Sequence, residues 1–164
     1  MSRLLVCFAS LLSLVDWSLA YPIHAECKLT WTFPKTSCAN VSTALIKQMK
    51  MWHTDKGCEN GGEEKCLYTF KSFQGNVMKA THETPVHHYA DDQTYTFTNE
   101  SSGGCDVQGF STSEVWYAYL DYSTNYCNMH NLLTGSGLDK MPGFQEKSST
   151  SVCTQYDKPN CAKY

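Results

Sequence analysis

The sequence predicts a mainly β fold, an antiparallel meander with one amphipathic helix near its start. Three observations predict it. From Cys66 to Leu133, short segments rich in Val, Thr, Tyr, Phe and Trp are separated by Gly, Asn, Ser and Pro turns. Residues 94–98 alternate strictly, with Tyr95 and Phe97 on one side and Thr94, Thr96 and Thr98 on the other. The strands follow one another without the intervening helices that parallel βαβ units require.

The elements follow in order. Residues 21–37 are extended, because Leu29, Trp31 and Phe33 alternate with Lys28, Thr30 and Thr32 before Pro34. Residues 40–53 form the helix: Val41, Ala44, Leu45, Met49 and Trp52 make one apolar stripe, Ser37 or Asn40 caps its start, and Gly57 ends it. Residues 55–65 are a polar loop with Gly57, Gly61 and Gly62 as turn formers. Residues 66–73 and 77–84 read as strands joined by a turn at Gln74-Gly75-Asn76. Pro85 interrupts pairing or marks an edge. The strand at 94–98 and a short one over 105–110 come next, then a strong strand over 115–122, where Trp116, Ala118 and Leu120 line one face. A turn at Ser123-Thr124-Asn125 sends 126–133 back as another strand. The stretch from Gly135 onward is loop-like. Two architectures bury this pattern: a small closed β-barrel with an interior cavity, or a helix across a curved antiparallel sheet, an α+β layout like that of the cystatins.

Residues 1–20 read as a secretory leader. Arg3 precedes an apolar run from Leu4 to Val15 that is too short for a membrane span, and Ser18-Leu19-Ala20 supplies the small residues of a cleavage site. The remaining 21–164 form one domain, secreted and extracellular, with no expected membrane span. Of nine cysteines, Cys7 lies in the leader. Cys27, Cys38, Cys58, Cys66, Cys105, Cys127, Cys153 and Cys161 remain, an even set expected to form four disulfides of unspecified connectivity. Asn40-Val41-Ser42 and Asn99-Glu100-Ser101 are glycosylation acceptors at Asn40 and Asn99. The formal net charge is -3, and Arg3 is the only arginine. Nucleic-acid partners need a basic face, and phosphate or sulfate clamps favour the arginine fork, so both classes are disfavoured.

Two segments carry a resemblance. Leu120-Asp121-Tyr122-Ser123-Thr124-Asn125-Tyr126-Cys127 resembles the Asp-Tyr-x-x-Tyr turn of lipocalins, with one residue more between the tyrosines. Tyr89-Ala90-Asp91-Asp92-Gln93-Thr94-Tyr95-Thr96-Phe97-Thr98 is similar to a stretch in secreted lipocalins of blood-feeding arthropods. Two lipocalin hallmarks are missing: Leu29 stands where the Gly-x-Trp signature before Trp31 needs glycine, and the arginine that packs on that tryptophan has no counterpart. The resemblance implies a cavity for a small, mostly apolar ligand.

Candidate chemistry is sparse. His82, His87, His88, Asp91 and Asp92 are the densest set of metal-ligand types, with His130 further on, but Pro85 breaks their strand geometry and no metal is expected. Gly109-Phe110-Ser111-Thr112-Ser113 lacks the final glycine of a hydrolase elbow and the α/β alternation around it. No catalytic triad or phosphate loop stands out, so neither catalysis nor a cofactor is expected. The expected role is binding of a small apolar or amphipathic ligand in a β-rich cavity lined by Tyr95, Phe97, Trp116, Leu120 and Tyr126. The alternative is an extracellular protein–protein module, a protease inhibitor or recognition protein, using exposed aromatics.

Overall fold

The computed structural model describes residues 23–59 and 63–164; the expected leader 1–20 and the turn glycines Gly61 and Gly62 lie outside them. The elements in chain order are β1 (Glu26–Phe33), α1 (Cys38–Met51), β2 (Tyr68–Gln74), β3 (Val77–Glu83), β4 (Ala90–Asn99), β5 (Cys105–Ser113), α2 (Thr124–Gly135) and β6 (Gln145–Lys147). The strands make one antiparallel sheet in the order β2-β3-β4-β5-β1-β6. Its two edges, β2 and β6, do not meet. The sheet is open and the barrel is not formed; the α+β layout describes the molecule.

Period-2 alternation sorts the sheet into two faces. Leu29, Trp31 and Phe33 of β1, Met78 and Ala80 of β3, Tyr95 and Phe97 of β4 and Val107 of β5 point inward and are buried. Both helices lie on this face. From α1 come Val41, Leu45 and Met49; from α2 come Tyr126, Met129, Leu132 and Leu133. The start of α1 is capped by Ser37, whose hydroxyl oxygen accepts from the Asn40 N–H.

Four disulfides pair all eight expected cysteines: Cys27–Cys153, Cys38–Cys105, Cys58–Cys66 and Cys127–Cys161. They tie the C-terminal segment to β1 and α2, and α1 to β5.

Two expected strands are not strands. Residues 115–122 form an irregular loop with a turn from the Ala118 N–H to the Val115 carbonyl. Residues 126–133 lie within α2. The aromatic content of 115–122 suggested a strand, but β-propensity mainly measures packing on a sheet surface, and this segment has no sheet edge beside it. In α2 the apolar residues Tyr126, Met129 and Leu133 fall at i, i+3 and i+7, a helical period masked by interleaved asparagines.

The sheet approaches α2 closely at Gly109. A Cβ there would lie 2.8 Å from Leu29 Cδ1 and 2.9 Å from Met129 Sδ. Gly109→Val therefore overpacks the contact, and a destabilisation of about 2 kcal/mol is expected, read as a lower urea midpoint with unchanged slope.

Candidate recognition surface

The register gathers four strand ends at one end of the sheet. Glu83 pairs with Ala90, Asp91 with Ser113, and Glu26 with Thr112. The β3–β4 connection 84–89, the chain entering β1 and the loop leaving β5 therefore all emerge there. Backbone bonds join them: Glu114 N–H to Ala90 O at 2.9 Å, Ser113 N–H to Ala25 O at 3.0 Å, and Ala25 N–H to Ala118 O at 2.8 Å.

This end concentrates the exposed apolar side chains. Ile23, Val86, Tyr89, Trp116, Tyr117, Tyr119, Leu120 and Tyr122 are all exposed, Trp116 at 80%. The other large exposed apolar residues among those described are Met51 and Phe73 alone. Clustering of this kind marks interaction sites, whereas scattered exposed apolar residues do not. Trp116 and Tyr117 meet edge to face, with centroids 5.3 Å apart.

The loop is anchored at its far end. Gln155 Oε1 accepts from the Asp121 N–H at 3.0 Å and the Tyr122 N–H at 2.7 Å. The Ser123 hydroxyl donates to the Gln155 carbonyl. Tyr122, Ser123 and Gln155 all adopt positive φ, at 51°, 68° and 53°. Such backbone in non-glycine residues persists only where surrounding contacts over-determine it. The Tyr122 ring stacks on Tyr164. Asp121 then starts α2: Oδ1 accepts from the Ser123 N–H and Oδ2 from the Asn125 N–H.

The segments at this end carry carboxylates and histidines, and Lys163, over the Tyr164 ring that stacks on Tyr122, is the lysine beside them. Residues 23–25, 84–89 and 114–122 contain no lysine or arginine, while Glu83, Glu114 and Asp121 border or lie within them.

Beneath the surface, α2 meets the strand ends through a buried polar layer. Ser111 Oγ donates to Asn125 Oδ1 at 2.7 Å, and Asn125 Nδ2 to Asp121 Oδ2 at 3.0 Å. Asn128 Nδ2 donates to Asp91 Oδ2 at 2.7 Å, and Tyr68 OH to the Asn128 carbonyl at 2.8 Å. His82 Nε2 contacts the Glu64 carbonyl at 2.9 Å, which assigns it as the protonated nitrogen. Burial pushes the Asp91 carboxyl up to about 6 against the Asn128 bond. Burial and the nearby Asp91 raise Glu64 to about 7, and burial lowers His82 to about 4.

The five residues expected to line a cavity do not converge. Tyr95 and Phe97 are packed into the core, and Tyr95 stacks on Trp31 at 5.9 Å. Tyr126 is buried on α2 and donates to Glu146 Oε1 at 2.7 Å. Trp116 and Leu120 stand in solvent on the loop. The residues sequence reasoning missed are Gln155 and Glu146. Glu146 also accepts from Trp31 Nε1 at 2.8 Å. Burial would raise its carboxyl, but bonds from His130, Tyr126 and Trp31 hold it below its ordinary value. The histidine set is dispersed. His82 is buried opposite Asp91, His87 and His88 lie in the exposed 84–89 connection, and His130 packs against Tyr126. Among the described residues no three His, Cys, Asp or Glu side chains are placed to hold a metal ion.

Both glycosylation acceptors lie at the opposite pole. Asn99 is exposed at the far end of β4, where it pairs with Cys105, and Cys105 is bonded to Cys38, two residues before the exposed Asn40. At a strand rise of about 3.4 Å per residue, Asn99 is roughly 27 Å along β4 from Asp91.

Against protein-family models, curated proteins and solved structures, the chain matches none.

The buried layer generates a pH dependence with a definite sign. Asp91 and Glu64 have raised folded values, so the native state holds more protons than the unfolded chain between about pH 4 and 7, and stability falls as pH rises through that window. His82 has a lowered folded value and acts oppositely between about 4 and 6.5. Two carboxyls against one imidazole leave a net decline of the urea midpoint from pH 5 to 7. In Asp91→Asn, which cannot ionise, that decline is shallower between pH 5 and 6; an unchanged slope would show that Asp91 is not its source.

Proposed function

We propose that this chain is a secreted, non-catalytic recognition protein that docks a protein partner through its aromatic end. The observation that supports the reading most is the collection of eight exposed apolar side chains on segments 23, 86–89 and 116–122, held by an anchored loop. Trp and Tyr are the residue types that dominate binding hot spots, and an anchored backbone reduces the ordering cost on association. A partner with a basic patch fits the exposed Glu114 and the partly exposed Glu83. An anionic membrane fits them poorly, because lipid-facing aromatic surfaces need lysine or arginine around them. Glycans at Asn40 and Asn99 would leave this end uncovered.

Extracellular placement is supported by the four disulfides, and no helix among the described residues is long and apolar enough to cross a membrane. The small-ligand carrier has less support, because Trp31, Tyr95, Met129 and Leu132 fill the space between sheet and helices where a cavity would lie.

The test uses Trp116, the most exposed of the three described tryptophans; Trp31 is fully buried. The protein is titrated with a panel of purified extracellular proteins of basic and acidic isoelectric point, papain-type and serine proteases included. A basic partner is expected to shift Trp116 emission to the blue saturably and to bind more weakly at high salt. Trp116→Ala is expected to lower that affinity at least about tenfold, near 1.4 kcal/mol. Fluorescence changes with fatty acids, retinoids or amines that persist in Trp116→Ala, with no response to any protein, would overturn the reading in favour of the carrier.

A further inference from the structure

No helix among the described residues lies on the outward face of the sheet. The register brings three strands' outward side chains into rows across β4, β5 and β1: Thr94, Phe110 and Lys28 in one, Thr96, Gln108 and Thr30 in the next. Lys147 of β6 extends the second row beside Thr30. Segment 147–152 leaves β6 and rises along β1 as a wall. The wall is fixed: the Lys28 N–H donates to the Val152 carbonyl at 2.9 Å, Ser148 Oγ donates to the Lys28 carbonyl at 3.0 Å, and Cys153 is bonded to Cys27. Between wall and sheet lies an open groove of about 640 Å³, within the size range of ligand sites.

The lining has a definite chemistry. Thr30, Thr94, Thr96, Ser148 and Ser149 offer hydroxyls, and Gln108 a side-chain amide. Phe110 is a half-buried ring among them, with the Lys28 ammonium 5.3 Å from its centroid. The groove has two lysines, Lys28 and Lys147, and no carboxylate in its lining, in a chain of net charge -3. Lys28 pairs at 3.3 Å with Glu26, which stands with Thr112 and Asp92 in the next outward row; Lys147 makes no ion pair with any described residue. A purely apolar ligand would strand the hydroxyls and the amide. A phosphate or sulfate is best held by an arginine fork, which this chain lacks after Arg3. A ligand bearing hydroxyls, an apolar C–H face and one carboxylate has a counterpart for each: the hydroxyls and amide, the apolar Phe110, Leu29 and Val152, and a lysine ammonium.

We infer that this groove binds a carboxylate-bearing sugar, with the carboxylate toward the unpaired Lys147 and a sugar C–H face along the apolar lining of Val152 and Phe110. The site is separate from the aromatic end and does not depend on it. A glycan displaying sialic acid and one displaying a uronate share this chemistry, and the experiment separates them.

The full-length protein is titrated by heteronuclear NMR with 3′-sialyllactose, with a glucuronate-terminated disaccharide and with neutral lactose. At least one acidic sugar is expected to shift the amides of Thr30, Thr94, Gln108 and Phe110 saturably, and lactose to leave them unmoved. The one that binds identifies the sugar. Lys28→Gln/Lys147→Gln, whose remaining resonances report an intact fold, is expected to weaken that binding at least about tenfold, and Trp116→Ala to leave it unchanged. Equal shifts with lactose, no shifts with either acidic sugar, or undiminished binding by the double-lysine variant would each overturn the inference.

Discussion

Strand β5 has two edges, and both are occupied. From Cys105 to Ser113 it pairs with β4 on one side and, over nearly the same length, with β1 on the other. The chain leaving Ser113 therefore has no free neighbour to continue beside. It cannot add to the sheet, so it turns across the strand ends and then doubles back as α2 over the inward face. The position of the helix, the exposure of the aromatic loop and the buried polar layer between them all descend from this saturation of one strand.

That constraint also separates what was legible in the sequence from what was not. Local period suffices where one face is buried and the other is not. It located α1 through Val41, Leu45 and Met49, and the hairpin around Gly75, and it placed Tyr95 and Phe97 on a common face. The loop over 115–122 has strand-like composition, but whether such a segment pairs depends on who its neighbours are, a long-range fact that no window of the sequence contains. For α2 the obstacle was chemical. Asn125, Asn128 and Asn131 are buried at helical spacing, where an apolar stripe is the usual signal. They are accommodated because each finds a partner: Ser111 and Asp121, Asp91, and the Tyr164 carbonyl. Of the candidate site, the aromatic residue types were visible in sequence, but Trp116 and Leu120 could not be told from Tyr95 and Phe97 as exposed or buried.

The inward face thus divides into an apolar part and a polar part with different tasks. Around Trp31, Leu45, Met129 and Leu132 the contact is non-directional and supplies burial. Around Asp91, His82 and Asn128 it is directional and fixes where α2 begins relative to the strand ends. Gln93 Nε2 and Asn128 Oδ1 in this layer are buried without a hydrogen-bond partner among the described protein groups. A layer so costly to bury holds the helix start in one place more than it adds stability, and the loop ending at that helix start inherits the definition.

Gln155, which holds the aromatic loop, lies in a stretch clamped on both sides, by Cys153 to β1 and by Cys161 to α2. The loop itself carries no disulfide. Its arrangement is thereby coupled to the oxidation state of two distant crosslinks. In a reducing compartment the clamp would open and the aromatic side chains would lose their common platform, even with the sheet intact.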